Sequence, residues 1–308
     1  MPPANDSAPL ESAIQRPRSL VRRLVPVLLV LGLGLILGLG AAWWLGGKLT
    51  QPARYEQIEL PSGLAVEPFE LRDARGSVVR GWNAPQVGEQ PARGVVILLH
   101  GIRGHRGVML PRARMLAAHG YATILPDLQA HGSSDGYLIT LGDRERFTVL
   151  AVLEFAKATY PDLPCAVLGV SLGGAAATLA LPLDVDALIL ESVFPDVESA
   201  IHHRVSARLG PLGALPAWLL LAQLGPRLGV SPDALRPVDR ISQATCPVLI
   251  LSGAEDPHTP AFETERLFAA ASEPKELLLI PDAGHVDLYD AVGESYEESV
   301  MAFLNRYL

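Results

Sequence analysis

The chain is poor in basic residues relative to acidic ones, with 25 Lys and Arg against 33 Asp and Glu and a net charge of −8. Apart from an N-terminal Arg cluster its basic residues are scattered, which excludes a nucleic-acid-binding surface. No cysteine or histidine spacing of the zinc type occurs. The pair His202-His203 stands alone in an apolar region and reads as structural or surface, not as a metal site. There is no internal repeat, and no metal or organic cofactor is implied. Cysteine is nearly absent, with Cys165 and Cys246 alone.

What is abundant is apolar residues, 49% of 308, enough for one large core preceded by an N-terminal appendage. Residues 1–23 read as a disordered cytoplasmic tail, rich in Pro, Ser and Ala at its start. Arg16, Arg18, Arg22 and Arg23 then precede an uncharged apolar run, residues 24–45. Roughly 20 such residues match the hydrocarbon thickness of a bilayer, so the run is predicted as a transmembrane helix. Trp43 and Trp44 sit where an interfacial aromatic belt would. The Arg-rich flank, against Lys48 and Arg54 after the run, orients the N-terminus to the cytoplasm and the remainder outside it. The rival reading is a cleaved signal peptide, with Gly40-Ala41-Ala42 as a small-residue cleavage site, although the run is long for that. Gly34, Gly38 and Ala42 form a small-residue face that could pair helices, a weak signal in so Gly-rich a span.

Residues 46–54 read as a linker and 55–308 as the main domain. Tyr55–Leu60, Ala65–Arg72 and Ser77–Asn83 are strand-like, with a hairpin turn at Asp73-Ala74-Arg75-Gly76. Gly94–Leu99 is a continuous apolar run, the mark of a strand buried on both faces. From there strands are predicted at Tyr121–Leu125, Ala166–Val170, Ala187–Leu190, Val248–Leu251 and Glu276–Ile280. Helices alternate with them near Met109–His119, Asp143–Thr159, after Ser171, at Ala261–Ala271 and near Glu294–Tyr307. This α/β alternation predicts a mostly parallel twisted sheet covered by helices on both faces, with ligands at the C-terminal strand ends. Residues 194–240 break the alternation and read as a helical cap inserted before the strand at Val248. Their apolar run Leu215–Leu224 is too short to span a bilayer. The two cysteines begin strands with another strand between them, a gap of about 10 Å, so they are expected to be thiols.

The stretch Ala166–Gly174 carries the chemistry. An apolar strand ends in Gly169-Val170-Ser171-Leu172-Gly173, and a small-residue helix pattern follows at once, the strand–turn–helix context of a nucleophile elbow. So tight a turn should hold Ser171 in strained backbone, capping a helix whose positive end faces the chemistry. Other predicted strand ends carry His100-Gly101-Ile102-Arg103-Gly104-His105, Gly253-Ala254-Glu255-Asp256-Pro257-His258 and Pro281-Asp282-Ala283-Gly284-His285. Serine, acid and histidine therefore follow one another as Ser171, then Asp256 or Glu255, then His285. In this order, and in the loop His131–Gly136 and the approach Leu141–Glu145, the sequence from about residue 65 to 308 resembles the α/β-hydrolase superfamily. The likeness is to bacterial members of its serine-aminopeptidase-like and esterase-like branch.

A serine hydroxyl is a poor nucleophile at its free pKa, so His285 is expected to take its proton and return it to the leaving group. The resemblance implies Asp256 over the adjacent Glu255 as the residue that holds the imidazole. It also implies the backbone N–H groups of Ile102 and Leu172 as the oxyanion hole, and a structural role for His100, a weaker candidate base. Asp282 and His131 read as turn residues and His119 as lying on a helix. Arg103 and His105 could meet an anionic substrate or be solvated. The expected activity is a serine hydrolase acting on an ester, thioester or amide through an acyl-enzyme. The apolar cap and tether favour lipid-like or acyl esters as the small-molecule partner. A dehalogenase or epoxide hydrolase would need Asp in place of Ser171. The alternative of another class is a membrane-anchored binding or scaffold protein without significant activity.

Overall fold

An eight-stranded sheet forms the frame of the computed structural model, which describes residues 18–55, 58–88 and 90–308. In chain order the elements begin with helix α1 (Arg18–Thr50), β1 (Ala53–Arg54), β2 (Glu67–Arg72), β3 (Val78–Ala84) and β4 (Val95–Leu99). Then come α2 (Leu110–Ala118), β5 (Ala122–Pro126), β6 (His131–Gly132), α3 (Glu145–Thr159), β7 (Cys165–Val170), α4 (Leu172–Leu179) and β8 (Ala187–Glu191). Helices α5 (Val197–Leu209), α6 (Ala214–Leu221) and α7 (Leu224–Leu228) follow. The chain closes with β9 (Val248–Gly253), α8 (Ala261–Ala270), β10 (Lys275–Ile280), α9 (Leu288–Val292) and α10 (Glu294–Tyr307).

The strand order is β10-β9-β8-β7-β4-β5-β3-β2, in which the six strands from β10 to β5 run parallel and β3 is antiparallel to both its neighbours. This is the α/β-hydrolase fold expected from the sequence, with helices on both faces. Side-chain alternation along β4 explains the layering. Val95, Ile97 and Leu99 enter a core shared with α3, α4 and α8, while Val96 and Leu98 enter one shared with α2 and α10. All five are at most 1% exposed, each worth roughly 1.5–3 kcal/mol of burial.

The chain divides after Leu45 into two units. In the first, α1 is exposed from Leu24 through Gly40. Leu24–Thr50 is long and apolar enough to cross a membrane. The tail expected over residues 1–23 lies outside the described residues as far as residue 17. In the second unit the structure corrects two expectations. Helix α1 continues to Thr50 where a linker was predicted, and Gly46 and Gly47 there admit Gln223 and Arg227 at a range a Cβ would crowd. Pro52 disfavours a further helical turn. The strand predicted over Tyr55–Leu60 is replaced by β1, which pairs in parallel with β6, and Tyr55 N–H extends the ladder to Gly132 O at 3.1 Å. Glu56 and Gln57 lie outside the described residues.

The segment that breaks the alternation is helical, as expected for a cap, and is two-faced. Leu212, Leu215 and Trp218 are exposed, while Leu224 and Leu228 are buried in a small core with Leu179, Val197, Val230 and Leu235. Strand β8 separates β7 from β9, so Cys165 and Cys246 are free and buried. Burial pushes their thiols up, to about 12 and about 11.

Candidate active site

Strands β4 and β7 are neighbours from which the strand order departs in opposite directions, which opens a crevice at their C-terminal ends. Leu99 pairs with Gly169, which brings the loop after β4 beside the turn after β7. A Cβ on Gly101 would stand 3.7 Å from the Ser171 Cβ. Ser171 itself sits at φ 49°, ψ −110°, a conformation L-residues rarely adopt. Two close approaches demand glycine here. A Cβ on Gly169 would lie 2.5 Å from the Gly174 nitrogen, and one on Gly173 2.5 Å from the Leu99 carbonyl oxygen.

The turn is pinned by the Ser171 N–H, which donates to Glu191 O at 2.7 Å. Ser171 occupies the N-cap position of α4, as expected, and its side chain makes no capping bond. With no capping bond made, the hydroxyl remains available for other chemistry. Ser171 is 5% exposed.

Strands β9 and β10 place the other two residues. Ile280 pairs with Gly253, and beyond them the loops are stitched by Ala254 N–H to Ile280 O (2.8 Å) and Glu255 N–H to Ala283 O (2.9 Å). Asp256 is buried, and its Oδ2 lies 2.7 Å from His285 Nδ1. Its Oδ1 accepts from the N–H groups of His258 (2.7 Å) and Thr259 (3.0 Å). Burial works against the Asp256 charge. The His285 hydrogen bond and charge and the two backbone donors outweigh it, and the carboxyl is held below its usual range. Glu255, the rival acid, is exposed and points its backbone, not its carboxylate, into this network.

Ser171, Leu172, Ile102 and His285 line one cavity of about 360 Å³. Among the described residues, neither the Ile102 nor the Leu172 N–H is donated to another group. The residues around the cavity therefore include Ser171, His285 with the Asp256 carboxylate on its Nδ1, and Ile102 and Leu172 with N–H groups not otherwise donated. That inventory matches what acyl transfer requires of a serine site.

The remaining histidines separate by their partners. His100 is fully buried, with Nδ1 on Gly101 O (2.8 Å) and Nε2 accepting from Leu128 N–H (3.1 Å). Burial lowers it to about 4. His131 is likewise buried against Gln129 O and lowered to about 3, chiefly by burial and then by His100. His105 accepts from Gly107 N–H and packs its ring, tilted, against Tyr55 at 4.4 Å between centroids. His203 contacts Glu263 at 3.0 Å. Asp282 is exposed at φ 56°, a turn conformation.

His258 is the site residue that sequence reasoning missed. It lines the cavity 4.9 Å from the His285 ring, and its position two residues after Asp256 was the available signal. Asp256, His258 and His285 have ligand atoms within 4.8 Å of one another, a possible three-donor metal site. The donor set fits a metal poorly. Two ligands of a tetrahedral ion with bonds of about 2.0–2.1 Å stand about 3.3 Å apart, well beyond the 2.7 Å between Asp256 and His285. That separation is a hydrogen bond's.

Beneath the site, Arg112 on α2 ties two of the loops together. It is 1% exposed and grips the Glu191 carboxylate with two N–H groups, at 2.7 and 3.1 Å, and Asp287 at 2.9 Å. Tyr296 hydroxyl donates to the same Glu191 carboxylate. Glu191 supplies the carbonyl that pins Ser171, and Asp287 lies two residues past His285. Because it would leave the Glu191 charge buried without its cation, Arg112→Met is expected to cost about 3–5 kcal/mol in urea denaturation. Adding Glu191→Leu should recover much of that loss. A cost under about 1 kcal/mol for Arg112→Met would contradict this account of the network.

Comparison with known proteins adds to this geometry. Residues 90–236 match the family model described as serine aminopeptidase, S33. An uncharacterised protein of Mycobacterium tuberculosis is 28% identical over 252 residues, covering 80% of this chain and 81% of that protein. The esterase Pf2001 of Pyrococcus furiosus superposes with a TM-score of 0.70 at 20% identity, over 84% of this chain and 98% of that one. The alpha/beta hydrolase GrgF of Penicillium sp. sh18 superposes with a TM-score of 0.60 at 22% identity, over 79% and 99%.

Proposed function

The chain is an α/β hydrolase by fold, and from that premise we propose that it is a serine hydrolase cleaving carboxylic esters through an acyl-enzyme. The observation that carries this reading is the Asp256–His285 hydrogen bond beside a cavity that Ser171 lines from a strained turn.

In this mechanism the substrate carbonyl settles against the Ile102 and Leu172 N–H groups. Ser171 Oγ attacks the carbonyl carbon while His285 Nε2 takes the hydroxyl proton. Asp256 keeps the other imidazole proton on Nδ1 and balances the imidazolium as it forms. The two backbone donors meet the oxygen as it gains charge, where preorganised donors count for most. His285 then protonates the departing alcohol, and water repeats the sequence to release the acid and free Ser171. Thioesters and amides can use the same constellation. Support for ester substrates comes from the apolar cavity wall and from the esterase Pf2001, which shares the fold.

We further infer that the N-terminal apolar helix anchors the protein in a membrane, with the globular unit on the extracytoplasmic side. The four arginines ahead of the apolar run at Leu24 support that orientation. An uncleaved anchor should resist extraction by alkaline carbonate and leave the globular unit open to protease added to spheroplasts. Release into the carbonate wash, or protection from the protease, would contradict it.

Kinetics on p-nitrophenyl butyrate test the chemistry. Ser171→Ala is expected to lower kcat by roughly 10⁴–10⁶-fold in folded protein. Asp256→Asn should cost far more than Glu255→Gln. Retained turnover in Ser171→Ala would remove the nucleophile assignment, and the reverse order of the acid variants would move that role to Glu255.

A further inference from the structure

The cavity that Ser171 and His285 line has a charge of its own. Its wall is largely apolar, with Phe194, Ile201, Leu220 and Leu224 among the lining residues, yet Arg103, Arg204, Arg208 and Arg227 line it too and, among the described residues, no carboxylate does. That is a cationic pocket in a chain whose net charge is −8.

Elsewhere in the globular unit some arginines meet carbonyl or amide oxygens, as Arg54, Arg93, Arg114 and Arg240 do, and others meet acids. Arg80, Arg106, Arg112, Arg236, Arg266 and Arg306 each pair with a carboxylate. Among the described residues, no carboxylate lies in ion-pair contact with Arg103, Arg204 or Arg208. Arg204 donates instead to Ala200 O in its own helix, at 3.2 Å, and Arg103 to Lys48 O at 3.5 Å.

Arg204 and Arg208 stand at i and i+4 on α5, so their side chains share one helix face and repel each other. Burial presses the Arg204 guanidinium below its usual value, and Asp256 and Glu263 offset this only in part. Arg204 is half-buried with no carboxylate in ion-pair contact, and the exposed Arg208 one turn on adds a mild like-charge repulsion. A bound anion would relieve both costs, and a guanidinium fork matches the paired oxygens of carboxylate and phosphate.

Resting on the serine-hydrolase reading above, we propose that the cavity takes amphiphilic acyl esters bearing a phosphate or carboxylate group. The apolar chain lies along Phe194, Ile201, Leu220 and Leu224, and Arg204 and Arg208 hold the anion, with Arg103 contributing from the loop after β4.

Binding measured by calorimetry on the purified full-length protein separates this inference from the chemistry. Octyl phosphate, octanoate and octanol serve as probes. At least one anionic probe is expected to bind 10-fold or more tighter than octanol, and that advantage should shrink as salt rises from 0.05 to about 0.5 M. The stronger of octyl phosphate and octanoate identifies the headgroup. In Arg204→Gln/Arg208→Gln the anionic advantage should fall to about 2-fold or less.

Octanol binding as tightly as both anions, or an advantage unchanged in the double variant, would overturn the proposal. If the double variant does not fold, Arg204→Lys should still blunt the preference, and salt dependence in the native protein decides in the same way. Turnover is read alongside on p-nitrophenyl hexanoate and its ω-carboxylate analogue, mono-p-nitrophenyl adipate. The native protein should favour the carboxylate ester in kcat/KM. If neither ester is hydrolysed, the serine-hydrolase reading falls while the binding ratios still judge the arginines.

Discussion

The turn at Ser171 is the constraint on which the site depends. A non-glycine residue at φ 49° is costly, on the order of 1–3 kcal/mol, and persists only where its surroundings over-determine it. Here they do so from three sides. Gly169 and Gly173 remove the Cβ atoms that would collide with backbone, and the Ser171 N–H is tied to Glu191 O. Glu191 is in turn gripped by a buried arginine and a tyrosine hydroxyl. Because Arg112 also reaches Asp287, the loop carrying His285 shares an anchor with the turn carrying Ser171. Relative placement of hydroxyl and imidazole is thus set by a charged cluster lying under the sheet's C-terminal edge, not by loop contacts alone.

Much of this was legible in the sequence because it follows from local pattern. Apolar runs such as Val95–Leu99 and Ala166–Val170 announce strands buried on both faces. Gly-x-Ser-x-Gly announces a turn that only small neighbours permit, and the spacing of Ser171, Asp256 and His285 along alternating β and α units puts all three at strand ends. The partner of His285 was open between two adjacent carboxylates, and only the register of β9 with β10 buries Asp256 and leaves Glu255 outside.

Other features have no local signature. Helix α1 runs on through two glycines that admit Gln223 and Arg227, some 180 residues away in sequence, at close range. The short β1 exists only because β6 offers it an edge. His258 belongs to the cavity through the turn after Asp256. The arginines of α5 belong to it because the cap folds that helix over the strand ends, a tertiary fact invisible in a segment whose sequence mixes apolar, polar and charged residues. The apolar run in the cap, ambiguous in sequence, divides between the two roles it could have had. Leu220 and Leu224 line the cavity while Leu215 and Trp218 face outward.

The central claim is that Ser171 is an activated nucleophile, and a fluorophosphonate probe addresses it directly. Labelling of the native protein, followed by mass mapping beside Ser171→Ala, should give a single adduct on Ser171 that the variant lacks. Folded native protein that takes no adduct, or takes it on another residue, would contradict the account. It would favour a hydrolase-fold binding protein in the first case and a different nucleophile in the second.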